Sequence, residues 1–302
     1  MFITSLFKNR NFIFILAFVL GFAIGDNIPW LRFLVVPALA VVMTVSMSEI
    51  DNRSFLPLKS AIHPGLFMLL LNYILFSTIT LVLAYFLIED NEMWKGFVII
   101  AASPAGVAIA PFTGILGGDK PFSLKGVIIS HFLAIIVIPI YGYLLIGMNF
   151  VQPIKLLILF LELIIAPFLI SRLLIKLKAE KYLLRFRGPL VNWGLFFVIF
   201  PVISLNRGYI FAYPKAAGMV SLIALLAVFG TGLILEIIFK KIKKIGRIKS
   251  SLILFATIKN GGFAAAAALS LSGDRASLPS ALMSIVIIIY LIYLSFRTSS
   301  FK

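Results

Sequence analysis

Long apolar runs separated by short polar breaks organise the 302-residue chain. They lie near 11–27, 29–48, 63–88, 95–117, 123–147, 152–176, 189–206, 209–239, 249–272 and 277–297. A helix needs roughly 20 apolar residues to cross a bilayer. The pattern therefore predicts an all-α polytopic membrane protein with ten transmembrane helices. The first run follows Lys8 and Arg10, as in a signal peptide. It has no small-x-small cleavage site before Asp26, so a retained helix is expected.

Two of the runs carry helix-breaking chemistry at their middles. The fourth reads Ala102-Ser103-Pro104-Ala105-Gly106-Val107-Ala108-Ile109-Ala110-Pro111, and the ninth reads Ile258-Lys259-Asn260-Gly261-Gly262-Phe263-Ala264-Ala265-Ala266-Ala267. Setting Gly106 on Gly262, an offset of 156 residues, also aligns Ala105 with Gly261, Ala108 with Ala264 and Ala110 with Ala266. Five spans per half is an odd number, so the halves 1–150 and 151–302 are expected to be inverted five-helix repeats. A break at membrane depth leaves backbone groups unpaired unless they face protein or a wet cavity, so it is kept for a use. Half-helices starting near Gly106 and Gly262 would aim partial positive charge at an anionic solute. A pair of kinked packing helices is the plain alternative.

Composition and charge narrow the class further. The chain is 62% hydrophobic and only 13% charged, which excludes a soluble globule. Its net charge of +16 gathers in two connecting segments, around Arg172 to Arg187 and Lys240 to Lys249. This is the pattern of cytoplasmic loops beside anionic lipid and argues against nucleic acid as a partner. Of the 27 basic residues, 20 fall on one side of the ten-span topology and six on the other, the last being Lys259 inside the ninth span. A multi-pass protein of the cell (inner) membrane with both termini cytoplasmic is expected. There is no cysteine to supply a thiol nucleophile, and His63 and His131 lie far apart with no paired membrane acids, so an enzyme is not expected. No phosphate-binding loop is present to hydrolyse ATP, and no cofactor is implied.

Ser103-Pro104-Ala105-Gly106, Asn260-Gly261-Gly262, Gly117-Gly118-Asp119-Lys120 and Pro139 resemble the pattern of the bile acid:sodium symporter family, within the larger group that also holds arsenite permeases. The resemblance implies a panel domain and a core domain, each assembled from both halves, with spans four and nine crossing at their breaks. It also implies alternating access. Carried over from the family, the sodium-binding Ser-Asn pair falls on Ile109 and Ala110, the acidic residue of the ninth span on Phe255 and its Gln on Lys259. A span-five hydroxyl falls near Ser130 or His131. Most oxygen ligands for sodium are thus lost, and a divergent member is expected.

A buried lysine supplies the positive charge that a bound cation otherwise would, as a fixed charge or a proton carrier. The expected function is therefore secondary transport of a small organic anion, sodium-independent, with Lys259 in place of the cation. The site is expected at Ser103, Pro104, Ala105, Gly106, Lys259, Asn260, Gly261 and Gly262, with His131 and Asn72 beside it. An ion pair of Lys259 with Glu162 or Glu236 stays open, as do a core role for His131 and an interhelical hydrogen bond for Asn72. A cation/proton antiporter-like carrier and a non-transporting sensor built on a transporter fold are the alternatives.

Overall fold

The computed structural model describes residues 9–25, 28–49, 65–148 and 152–299. His63, Asp26, Lys8, Arg53, Lys59 and Lys302, which enter the sequence argument, lie outside the described residues. The described chain is helical throughout, with no named strand. In order it forms α1 (Arg10–Ile24), α2 (Pro29–Met47), α3 (Gly65–Leu87), α4 (Asn91–Ala102), α5 (Ile109–Ile115), α6 (Lys120–Leu145) and α7 (Pro153–Lys176). After these come α8 (Glu180–Arg185), α9 (Arg187–Ala212), α10 (Pro214–Lys240), α11 (Lys249–Phe255), α12 (Gly261–Ser272) and α13 (Asp274–Ser299). Seven of these helices are long and apolar enough to cross a membrane, and Phe12–Ile24 and Gly261–Ser272 are shorter apolar helices.

The long helices follow the apolar runs. The fourth and ninth runs are each two helices, split where the sequence carries its breakers. Ser103 precedes a proline, which disfavours the helical conformation there, and it is extended at φ −67°, ψ 153°. The segment before α12 ends at Asn260, whose side chain accepts from the Phe263 N–H and so starts a new helix. The start after the first break lies later than Gly106, at Ile109, and that helix has only 7 residues.

Helix ends outside the breaks follow ordinary capping chemistry. Asp90 caps α4 by accepting from the N–H groups of Glu92 and Met93, and Asp119 caps α6 by accepting from Phe122. The helix α3 is π-wound over Leu70–Phe76, a local widening that re-aims the side chains it carries, Asn72 and Tyr73 among them.

Burial divides the molecule into two apolar clusters. One joins α1, α2, α7 and α9, with Phe263 and Ala265 to Ala268 of α12 packed into it. The other joins α3, α4, α10, α11 and α13. Many large apolar residues remain exposed on outward faces, among them Phe33, Phe86, Leu144, Ile154 and Ile237. Water would disfavour such faces, and lipid suits them.

Candidate functional site

The two breaks cross each other. Gly106 N–H donates to the Ile258 carbonyl at 3.0 Å, and Asn260 N–H donates to the Pro104 carbonyl at 2.8 Å. The result is a single antiparallel bridge between Ala105 and Lys259. Each interruption thus satisfies backbone groups of the other. In this antiparallel crossing the separation of opposed residues changes by two at each step, from 156 for Pro104 and Asn260 to 154 for Ala105 and Lys259, so the 156 of the small-residue alignment falls within it. Gly106 is required at this contact, because a Cβ there would meet Ile258 Cγ2 at 2.7 Å and the Lys259 carbonyl oxygen at 3.0 Å. Ser130 of α6 supports the crossing from behind, accepting from Ala105 N–H at 3.2 Å and donating to the Val127 carbonyl at 2.6 Å.

Lys259 is buried, at 1% exposure. Its ammonium has three protons and three acceptors: Asn72 Oδ1 at 3.0 Å, the Ala101 carbonyl at 2.8 Å and the Ser103 carbonyl at 2.9 Å. The Tyr73 ring lies under it at 4.3 Å. Ala101 and Ser103 stand at the C-terminal end of α4, where carbonyls lack helical partners and the helix dipole is negative. The lysine therefore caps the broken helix. Asn72 completes the arrangement by donating its Nδ2 to the Phe255 carbonyl at 2.9 Å, the last residue of α11. None of the partners is an acid. Glu162 faces outward on α7, and neither it nor Glu236 takes part in the hydrogen bonds of Lys259.

His131 joins the same group through Asn260. Asn260 Oδ1 accepts from Phe263 N–H at 3.1 Å, which turns Nδ2 toward His131 Nε2 at 3.2 Å. An amide nitrogen only donates, so Nε2 accepts, and the ring proton is on Nδ1, which donates to the Val127 carbonyl at 2.7 Å. Both ring nitrogens are thereby satisfied in the neutral imidazole.

A cavity of about 550 Å³ lies against the crossing. Gly106, Asn260, Gly261 and Gly262 line it from the breaks, α9 lines it with Val191, Asn192, Leu195 and Ile199, and Asn9 and Arg187 stand toward one end. The far ends of the helices carry a polar cluster instead. Arg32 at the start of α2 pairs with Asp274 at the start of α13 at 3.3 Å, and Arg275 pairs with Asp90 at 3.2 Å. Tyr209 of α9 donates to Asp90 and lies under the Arg275 guanidinium at 4.8 Å.

The sequence profile of the sodium bile acid symporter family matches residues 36–213, more than half of the chain. The chain belongs to this family. It is a multi-pass membrane protein of a transporter family, not of an enzyme family. No individual curated protein matches it. The match spans α2 to α9 and so contains the first break, while Lys259 and the second break lie beyond it.

Ile109, Ala110 and Phe255, the positions where the resemblance would place sodium ligands, are buried at 0%, 2% and 0% exposure. No side-chain oxygen is supplied there. All ten candidate site residues gather at the crossing, but on two sides of it. Asn72, Ser103 and the Lys259 ammonium form one buried knot, while Gly106 and the Asn260 to Gly262 turn border the cavity. Sequence reasoning missed Tyr73, whose signal was its place beside Asn72. It also missed the Ala101 carbonyl and Ser77, which donates to that carbonyl at 2.7 Å.

Proposed function

We propose that the protein is a secondary carrier of a small organic anion, working by alternating access without sodium, with Lys259 in the place of a bound cation. The observation that carries this reading is the seating of the Lys259 ammonium among three oxygens and an aromatic face where the two breaks cross. A charge tethered there neutralises the carbonyl end of α4 without an ion that must bind and leave. A negative solute is supported by the Arg187 guanidinium, which lines the cavity while paired with Glu49.

The reciprocal crossing supports two inverted repeats of five spans, 1–150 and 151–302. In this reading α1, α2, α7 and α9 form the panel, and the crossing belongs to the core. The basic bias of the connecting segments supports a cytoplasmic position for the Asn9 and Arg187 end, in a cell (inner) membrane. The Arg32–Asp274 pair and the Tyr209 hydrogen bond to Asp90 at the opposite helix ends then close the outer side, and the cavity is the inward-facing one.

The test is counterflow of labelled carboxylates and sulfonates into liposomes holding the purified chain, in sodium and again in choline medium. Equal counterflow in both media, lost in Lys259→Ala, is the expected result. Counterflow that saturates with sodium and fails in choline would end the sodium-independent reading. Its absence for every anion tried would leave a non-transporting sensor as the better account.

A further inference from the structure

The Lys259 ammonium is fully spent on α4 and Asn72, so the charge that meets a solute in the cavity must come from elsewhere. The other cation of the lining is Arg187, the first residue of α9. Arg187, Val191, Leu195 and Ile199 recur every four residues and all border the cavity, so one stripe of α9 leads from a guanidinium along an apolar wall. At 1.5 Å per residue the stripe is roughly 18 Å long.

One arm of the guanidinium, Nη1, pairs with the Glu49 carboxylate just beyond α2. Its Nε is buried and has no hydrogen-bond partner. Arg187 is 26% exposed and Glu49 13%, so the pair is largely withdrawn from water while a donor goes unused. Arg187 lines the cavity and carries five donors, of which Glu49 engages one nitrogen only, so the guanidinium keeps donors for a solute carboxylate, given the fork geometry of arginine. Burial raises the Glu49 carboxyl, against the pull of Arg187 and Lys120, so this partner holds its charge less firmly than a surface acid does.

We propose that Arg187 binds the anionic end of the solute, that Glu49 is its resident counter-ion when the cavity is empty, and that the solute's apolar body lies along the α9 stripe. The inference rests on the organic-anion reading above and adds the residue that recognises the anion.

Thermal unfolding of the purified full chain, titrated with 1-naphthylacetate and with its uncharged amide, tests it. The acid should bind the wild type more tightly than the amide. Glu49→Gln frees the guanidinium and should strengthen acid binding several-fold, leaving the amide unchanged. Arg187→Gln should bring the acid down to the level of the amide, a loss of roughly tenfold or more for a charge-assisted hydrogen bond. The double variant E49Q/R187Q leaves no lone buried charge, and it should fold and show the same lack of preference. If Arg187→Gln or the double variant keeps the wild-type preference for the acid, or if neither wild type nor Glu49→Gln prefers it, the assignment is overturned. Such a failure with anion counterflow intact would remove Arg187 alone, whereas absent counterflow in the wild type removes the carrier reading.

Discussion

Replacing Lys259 by methionine keeps much of the apolar stem and removes the ammonium. The Ser103 carbonyl and Asn72 Oδ1 then lose the bonds at 2.9 and 3.0 Å, while the Ala101 carbonyl keeps the Ser77 hydroxyl at 2.7 Å. Two buried acceptors are left to be counted, at about 1–3 kcal/mol each. In a bilayer the lower end applies, because the unfolded chain also finds partners there, and removal of a desolvated charge offsets part of the loss. The net expectation is a destabilisation of about 1–2 kcal/mol, or roughly 2–3 °C in the Tm of the detergent-purified 302-residue protein. Lys259→Ala removes the stem too and opens a pocket edged by the Ala101 and Ser103 carbonyls and Asn72. That variant should gain a saturable stabilisation by sodium, at constant ionic strength, that the wild type lacks. A Met variant as stable as the wild type would refute the capping role. An Ala variant indifferent to sodium would refute the equivalence of ammonium and ion.

Two further outcomes follow from residues around the site. Burial alone would raise the Asp90 carboxyl, but the Met93 N–H, the Tyr209 hydroxyl, Arg275 and the Glu92 N–H outweigh it and hold the group below its ordinary value. A lowered carboxyl stabilises the fold above its unfolded value of about 3.9 and loses that contribution as pH falls through the folded value. Asp90→Ala should therefore cost about 1 kcal/mol between pH 5 and 7 from loss of the cap of α4, with the gap to wild type closing below about pH 4 in thermal unfolding. Gly106→Ala drives a Cβ to 2.7 Å from Ile258 and should cost about 1–3 kcal/mol while abolishing counterflow. Normal flux in that variant would show that the breaks need not touch.

Seven long apolar helices and the two breaks were legible because both rest on local chemistry. Apolar run length set the helices from Pro29–Met47 to Pro214–Lys240, and Ser103-Pro104 and Asn260-Gly261 interrupt a helix whatever surrounds them. The partners of Lys259 were not legible to the same degree. Two of the three are backbone carbonyls, which every residue carries, so no side-chain pattern marks Ala101 or Ser103 as acceptors. The alternative of an acidic partner rested on the usual pairing of intramembrane charges, whereas the end of a broken helix supplies negative potential without a charge. Arg187 was hidden for a related reason. Counted among the basic residues of a loop, it looked like one more topology signal, and only the fold shows it starting α9 at the cavity with Glu49 beside it.

The two breaks solve the same problem by different means. The end of α4 is capped by a charged group from the other break, while the end of α11 receives the neutral Nδ2 of Asn72 at 2.9 Å and the start of α12 is capped by Asn260. A free cation would cap α4 only while bound, so loading and unloading it would loosen and tighten the crossing at each cycle. A tethered ammonium cannot leave, and its three bonds hold α3, α4 and the second break together. In the proposed carrier the crossing then moves as one rigid piece, and the contacts that must break lie between that piece and the helices α1, α2 and α9. Arg32 with Asp274, and Tyr209 with Asp90 and Arg275, are contacts of this kind, placed at the helix ends away from the cavity and open to exchange with water. The partial exposure of the Arg32–Asp274 pair makes it weak, which suits the opening of the proposed carrier, whereas the knot around Lys259 is buried.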